Sequence, residues 1–167
     1  MKFAENYKVV PVMTYADISS TVVADSINMR DYRRCTFLFM IHAASAASAT
    51  LTVASGATDG TADSGLAFDY AIGGAAIGTA TAGSTTSCDV LAAKATAEIT
   101  GIVLTYGTYA NKMLIVEVGA EKMDVDNEEE WLTATITTTT SVAGRVSCFA
   151  ILEPRYQKVR SPTALAV

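Results

Sequence analysis

The chain has 167 residues, half of them apolar and only 17% charged, with a formal net charge of −5 at pH 7. This length suits one domain with a substantial core, and the acidic balance argues against nucleic acid as a partner, because phosphate contacts need clustered Lys and Arg. The low charge and the surplus of Ala and Thr predict that other subunits cover part of the surface.

The N-terminal segment and the cysteines indicate a cytoplasmic protein. Charged residues from Lys2 to Lys8 interrupt any apolar core of a signal peptide, so we expect no export. Cys35, Cys88 and Cys148 have neither zinc-ligand spacing nor the pattern of a disulfide framework. The Gly-rich stretch 70–82 is too short and too poor in large side chains for a membrane-spanning helix, so we expect no membrane partner.

The first strong strand follows an extended leader. Residues 1–25 are predicted to form this leader, and Pro11 restricts its β-like run to a sheet edge or an arm. In residues 35–41, alternate side chains from Cys35 to Ile41 form a core face. The alternate face is half apolar, which predicts that an arm or a neighbouring subunit covers it.

The middle of the chain contains shorter runs. Alternation in residues 49–53 predicts a hairpin partner for the first strong strand. Residues 66–72 form a further predicted strand, and 73–87 are a Gly-, Ala- and Thr-rich loop or a strand pair of weak register. One turn of helix is predicted in 92–99 and a buried strand in 113–118.

The C-terminal third contains the only tryptophan and a strand that ends at proline. In residues 131–137, Leu132, Ala134 and Ile136 are predicted to face the core. The last strand ends at Pro154 and releases a basic tail, residues 154–167. About eight short strands predict one antiparallel, jelly-roll-like β-sandwich over residues 1–167, with the leader and the tail as extended appendages.

No motif for catalysis, cofactor binding or metal binding is found in the sequence. His42 is the only histidine and has no nucleophile motif around it, and the glycine runs lack the spacing of phosphate-binding loops. We therefore expect neither an enzyme nor a cofactor. The acidic run 124–130 lacks the EF-hand spacing for Ca²⁺; a bound cation, a solvated loop and a loop that faces Arg across an interface all remain open.

Two sets of charged residues are candidates for subunit contacts. Opposite charges on one small subunit suit head-to-tail contacts between copies or contacts to a larger assembly. The candidate interface residues are Arg30, Arg33, Arg34, Asp124, Asp126, Glu128, Glu129, Glu130, Arg155, Tyr156, Lys158 and Arg160.

Four segments occur in an order that resembles a known family. They are Phe-Ala-Glu-Asn at 3–6, Ser-Ile-Asn-Met-Arg-Asp-Tyr-Arg-Arg at 26–34, Met-Asp-Val-Asp-Asn at 123–127 and Leu-Glu-Pro-Arg-Tyr at 152–156. Together they resemble small structural proteins of tailed-bacteriophage virions, which are encoded near the major capsid protein. The resemblance implies a capsid decoration, or cement, protein that is made in the bacterial host cytoplasm. Such proteins are β-sandwiches, often homotrimers, that bind the shell of the major capsid protein on the virion surface and brace it.

Two other functions fit the sequence. The first is a tail, stopper or head-fibre base component of the virion. The second is a carbohydrate-binding β-sandwich, which would need exposed aromatic residues along a groove, whereas Trp131 and the tyrosines are scattered in the sequence.

Overall fold

A computed structural model of the protein describes residues 3–43, 48–74, 76, 88–138, 144–156 and 163–165. Within these ranges the chain is almost entirely β, with twelve strands in two antiparallel sheets and two helices of four residues each. The predicted all-β sandwich is confirmed, with twelve strands instead of about eight. No helix in the ranges described is long and apolar enough to cross a membrane.

The strands are short except for four of about ten residues. In chain order they are β1 (Lys8–Asp17), β2 (Val22–Val23), β3 (Ile27–Asn28), β4 (Tyr32–Ala43), β5 (Ser48–Gly56), β6 (Ser64–Gly65), β7 (Phe68–Ile72), β8 (Ala95–Ala97), β9 (Ile102–Thr105), β10 (Lys112–Gly119), β11 (Trp131–Thr138) and β12 (Gly144–Pro154). The helices are α1 (Phe3–Asn6) and α2 (Tyr106–Tyr109), and 3-10 turns occupy Ala120–Lys122 and Val125–Asn127.

The two sheets have different strand orders. The first sheet runs β1-β12-β4-β10-β7-β8, and the second runs β2-β11-β5-β6, with β3 also paired to β11 and β9 to β5. Because β2 and β3 pair with separate parts of β11, they form two pieces of one interrupted strand.

The strand order is that of a jelly roll with an insertion. Counting β2 and β3 as one strand and setting β6, β7 and β8 aside leaves eight positions, which the sheets arrange as 1-8-3-6 and 2-7-4-5. Successive strands in this order alternate between two packed sheets, except for the fourth and fifth, which pair with each other in the second sheet. The three extra strands lie in the chain between the fourth and fifth positions: β7 and β8 widen the first sheet, and β6 pairs with β5 on the same edge as β9. Together with the division of the second position into β2 and β3, they raise the strand count from eight to twelve.

The core lies between the sheets because every second side chain of a strand faces inward. The predicted core faces of β4, β5 and β11 are confirmed. Their buried residues are Cys35, Phe37, Phe39, Ile41, Ala49, Leu51, Val53, Leu132, Ala134 and Ile136. Trp131 is only half-buried at the start of β11. Cys35 and Cys148 are free, and burial raises the pKa of both thiols, so they are inert core residues.

Two predictions of local structure are wrong. Strand β5 does not form a hairpin with β4, because the chain crosses to the second sheet between them and β5 pairs with β11. Residues 92–99 do not form a helical turn, because Ala95–Ala97 pairs with β7 as strand β8. The Thr96 hydroxyl also donates a hydrogen bond to Asp69 Oδ1 at 2.7 Å, which secures this edge strand.

The N-terminal leader belongs to the sandwich. Strand β1 is an edge strand, as Pro11 predicts, but it pairs with β12 from Lys8 to Asp17 and buries Val10 and Val12. The prediction that residues 1–25 form an appendage is therefore wrong for this strand, because its inward side chains complete the core.

The C-terminal tail also contacts the sandwich where it is described. Strand β12 ends at Pro154, as predicted, and the Arg155 amide then donates to the Asp31 carbonyl at 2.9 Å. Ala164 is only 1% exposed, and its carbonyl accepts a hydrogen bond from the Asn28 amide at 2.8 Å. The prediction that the tail is only an extended appendage is therefore wrong at Arg155 and at Ala164. Residues 157–162 lie outside the described ranges.

Candidate interaction surfaces

The outer face of the first sheet carries a row of apolar residues across five strands. Pro11 lies opposite Phe149, Phe149 opposite Leu38, Leu38 opposite Ile115, and Ile115 opposite Ala71. All five point away from the core, because their neighbours along each strand are the inward-facing residues. Phe149 is 41% exposed.

Apolar residues in the adjacent rows widen this surface. Val9 lies opposite Ile151 on one side, and Met40 lies opposite Met113 on the other. We call the whole set the apolar band: Val9, Pro11, Leu38, Met40, Ala71, Met113, Ile115, Phe149 and Ile151. The predicted half-apolar second face of β4 is confirmed, and β1, β10 and β12 extend it. Contiguous apolar patches of this kind mark interaction surfaces.

The outer face of the second sheet has a different chemistry. Thr50 and Thr52 of β5 lie opposite Thr137 and Thr135 of β11, so hydroxyls occupy the centre of this face. We call it the hydroxyl face. Hydroxyl groups are satisfied by water, and the two outer faces of the sandwich therefore differ in their affinity for another apolar surface.

Charged residues surround the apolar band in compensating pairs. Arg33 pairs with Glu153, Arg145 Nη1 lies 2.5 Å from Asp17 Oδ2, and Lys94 Nζ lies 3.0 Å from Asp69 Oδ2. The rim contains four basic and four acidic side chains: Arg33, Arg34, Lys94, Arg145, Asp17, Asp69, Glu117 and Glu153. Lys94 Nζ also lies 3.4 Å from Glu117 Oε2. The rim is therefore neutral, although the chain as a whole is acidic.

Hydrogen bonds on the rim lower the pKa of Glu153 and Asp69. The hydrogen bond from Arg33 is the main cause of the lowered pKa of Glu153. The Thr96 hydroxyl, followed by Lys94, lowers the pKa of Asp69. A carboxyl group whose pKa is lower in the folded state stabilises the fold above its ordinary pKa, and this stabilisation disappears as the pH falls through the lowered value.

The Arg33–Glu153 pair should make the free energy of unfolding depend on pH in the acidic range. We expect the free energy of unfolding to fall less steeply below about pH 4.3, the ordinary pKa of Glu, in Glu153→Gln than in the native chain. Arg33→Gln should flatten the same part of the curve, because it removes the group that lowers the pKa. Urea unfolding measured at a series of acidic pH values tests this, and equal slopes in all three proteins would contradict it.

A strained tyrosine lies at the edge of the same face. Tyr15 has a left-handed backbone, with φ 47°, where β1 loses its regular register with β12. Its amide donates to Ser147 Oγ at 3.0 Å, and the Arg145 guanidinium lies 5.7 Å from the centre of its ring. The bulge thus directs a side chain that is 65% exposed over the outer face. Such strain costs about 1–3 kcal/mol and concentrates at binding sites.

A mixed-charge cleft lies at one end of the sandwich. Its volume is about 430 Å³, and Arg30 and Arg155 line it together with Glu128, Glu129 and Glu130. The structure thus brings members of the two predicted charge sets together within one chain, whereas the sequence suggested a contact between subunits. Met29, Ala57 and Met123 complete the lining.

Glu129 has a structural role in this cleft. It is only 6% exposed, and its carboxylate accepts hydrogen bonds from the Ser55 hydroxyl and, at 2.8 Å, from Ser64 Oγ. Its neighbour Glu128 has a left-handed φ of 57°, which reverses the chain just before Glu129 enters the interior. The prediction that Glu129 is an interface residue is wrong, because its side chain is buried within its own subunit.

The other predicted interface residues are dispersed. Arg34 and Asp126 are exposed, and Asp124 accepts a hydrogen bond of 2.7 Å from Asn127 within its own loop. Tyr156 is 72% exposed beside Arg155. The predictions for Lys158 and Arg160 fall outside the described residues. Among the residues described, no group of three or more His, Cys, Asp or Glu side chains could hold a metal ion.

The exposed cleft residues and the adjoining tyrosine form one charged end of the molecule: Arg30, Glu128, Glu130, Arg155 and Tyr156. Sequence reasoning found this end but located the apolar band only on β4. The same alternation is visible at Val9 and Pro11, and at Phe149 and Ile151.

Neither models of known protein families nor the curated protein sequences give a match to this chain.

Proposed function

We propose that the protein is a structural component of a bacteriophage virion, a decoration protein that binds the shell of the major capsid protein and stabilises the head. The observation that carries the proposal is the contrast between the outer faces: one is an apolar band, and the other has threonine hydroxyls at its centre. A subunit of this design leaves apolar surface uncovered until it joins an assembly. The jelly-roll order supports the proposal, since viral capsid proteins use it, and the four family-like segments supply the virion context.

The charged end is the part of the molecule that we assign to the capsid contact. Its side chains are exposed and carry both signs of charge, so they can form complementary pairs with another protein. Tyr156 adds an exposed aromatic group, and Tyr and Arg are the residues that contribute most to binding at protein interfaces. The family resemblance implies that copies of the chain form a trimer.

Binding to heads that lack this protein tests the proposal directly. The purified chain should co-sediment with assembled, expanded heads until it reaches a copy number proportional to the capsid subunits, and it should raise their resistance to heat. A tail, stopper or fibre-base component would instead appear in a few copies per particle at a single site. Absence of binding to assembled heads would remove the decoration role.

Tyr156→Ala should weaken binding to heads by about tenfold, because it removes the exposed aromatic group of the charged end. Its high exposure means that the melting temperature should not change. Val103→Ala is the matched control: Val103 is also exposed but lies beside Thr50 on the edge of the hydroxyl face. Equal affinities of the two variants, measured by co-sedimentation, would exclude the charged end as the contact.

Carbohydrate binding receives no support from the cleft. Sugar sites in jelly rolls commonly stack the ligand on aromatic rings, whereas the described lining residues of the cleft are Met, Arg, Glu and Ala.

A further inference from the structure

We infer that the apolar band is a self-association surface, on which the band of a second copy packs about a two-fold axis. The inference does not depend on the proposed role in the virion. It follows from the size of the face, the charge of its rim and the positions of the two chain ends.

The size of the face suits a reversible dimer. Five strands at a spacing of about 4.8 Å and three outward rows at about 6.7 Å span roughly 24 Å by 20 Å, or about 500 Å². This area includes the nine residues of the band and the polar residues of the two outer rows, Thr36, Asp69, Glu117 and Ser147. Two copies would therefore cover about 1,000 Å² in total, the lower limit for a specific protein interface. We expect association that depends on concentration rather than a permanent dimer.

The shape of the face suits a second sheet. Apolar residues from alternate positions of neighbouring strands are the surface that packs inside every β-sandwich, where two sheets lie about 10 Å apart. The hydroxyl face does not offer such a surface, since its central positions are Thr50, Thr52, Thr135 and Thr137. The band is therefore the better complement for a second band.

The neutral rim favours a second copy over a different partner. In a two-fold contact, identical surfaces meet, so an excess of either charge around the band would oppose association. The rim has four charges of each sign, and the ion pairs Arg33–Glu153, Arg145–Asp17 and Lys94–Asp69 compensate them locally. The net charge of the chain is −5, yet the rim of the band is neutral. A contact with a partner of opposite charge would not require a neutral rim, whereas a contact between two copies does.

The described chain ends do not cover the band. Strand β1 contributes Val9 and Pro11 to the band and so forms part of it. At the other end, Arg155 bonds to Asp31, and Ala164 bonds to Asn28 of β3, which belongs to the second sheet. The tail residues that the structure describes therefore lie away from the band.

Sedimentation equilibrium of the full chain over a range of concentrations tests the inference. We expect a monomer–dimer equilibrium in which Phe149→Glu and Leu38→Asp each raise the dissociation constant by about tenfold or more, because a buried charge would oppose the contact. Thr50→Asp, a charge on the hydroxyl face, should leave the constant unchanged. Circular dichroism of each variant verifies that it is folded. If Leu38→Asp does not fold, Phe149→Glu alone still tests the inference.

Oxidation of single-cysteine additions tests the two-fold geometry. Leu38→Cys, at the centre of the band, should form a covalent dimer. Thr50→Cys should form no more covalent dimer than the native chain, whose own Cys88 sets the background. A monomer at every concentration or an oligomer that the band variants leave intact would overturn the inference. The trimer that the family resemblance implies would also overturn it, because a two-fold contact cannot close a trimer. Each of these results is separate from head binding, which depends on the charged end.

Discussion

Gly101→Ala is expected to lower the free energy of unfolding by about 2–5 kcal/mol, one of the largest losses from a single methyl group in this chain. Gly101 has φ +80°, and a Cβ atom there would lie 2.1 Å from the Leu51 carbonyl oxygen. The oxygen belongs to backbone within β5, so it cannot move without disturbing the second sheet. The left-handed conformation and the steric clash both oppose alanine.

Gly60→Ala separates these two causes. Gly60 has nearly the same φ, +78°, but no atom lies within 4 Å of the position that a Cβ atom would occupy. Alanine there should cost only the conformational term, about 1–2 kcal/mol. Urea unfolding of both variants measures the difference, and equal losses would show that Leu51 does not constrain Gly101.

Glu129→Ala is expected to destabilise the fold by about 2–4 kcal/mol, because it leaves the hydroxyls of Ser55 and Ser64 without their acceptor. Ser55 is completely buried, so water cannot readily replace the carboxylate. Glu129→Gln should lose less, since the amide oxygen still accepts one of the two hydrogen bonds.

Glu130→Ala is the control for this prediction. Glu130 is adjacent in the same acidic loop, but its side chain is exposed, so its removal should change stability by no more than about 0.5 kcal/mol. Chemical unfolding of the three variants gives the comparison. If Glu129→Ala and Glu130→Ala unfold alike, the two serine hydrogen bonds contribute nothing to the fold.

Alternation of apolar residues was sufficient to predict the strands and the core, but not which strands pair. It gave the inward faces of β4, β5 and β11 because the side-chain period of a strand is local. It assigned β5 to β4 because neighbours in sequence often form hairpins, whereas in this fold β4 and β5 belong to opposite sheets. Pairing depends on contacts between distant residues, such as Leu51 with Ile136, which no local pattern contains.

The candidate sites divide in the same way. The half-apolar face of β4 was visible in the sequence, and so was the charged end. The different role of Glu129 was not, because three successive glutamates are chemically identical until the left-handed turn at Glu128 directs one of them inward. The return of Ala164 to the sandwich was equally hidden, since alanine gives no signal of its own in a basic tail.

The pairing of the first strand with the last has a consequence for synthesis. Strand β1 bonds to β12 in the first sheet, and β4 bonds to β10 and β12, so the partners of both strands are synthesised much later than the strands themselves. Contacts this distant in sequence slow folding. Since the central row of the band includes Pro11 and Phe149, the surface is complete only after β12 has left the ribosome. Nascent chains therefore lack the complete surface through which finished copies associate.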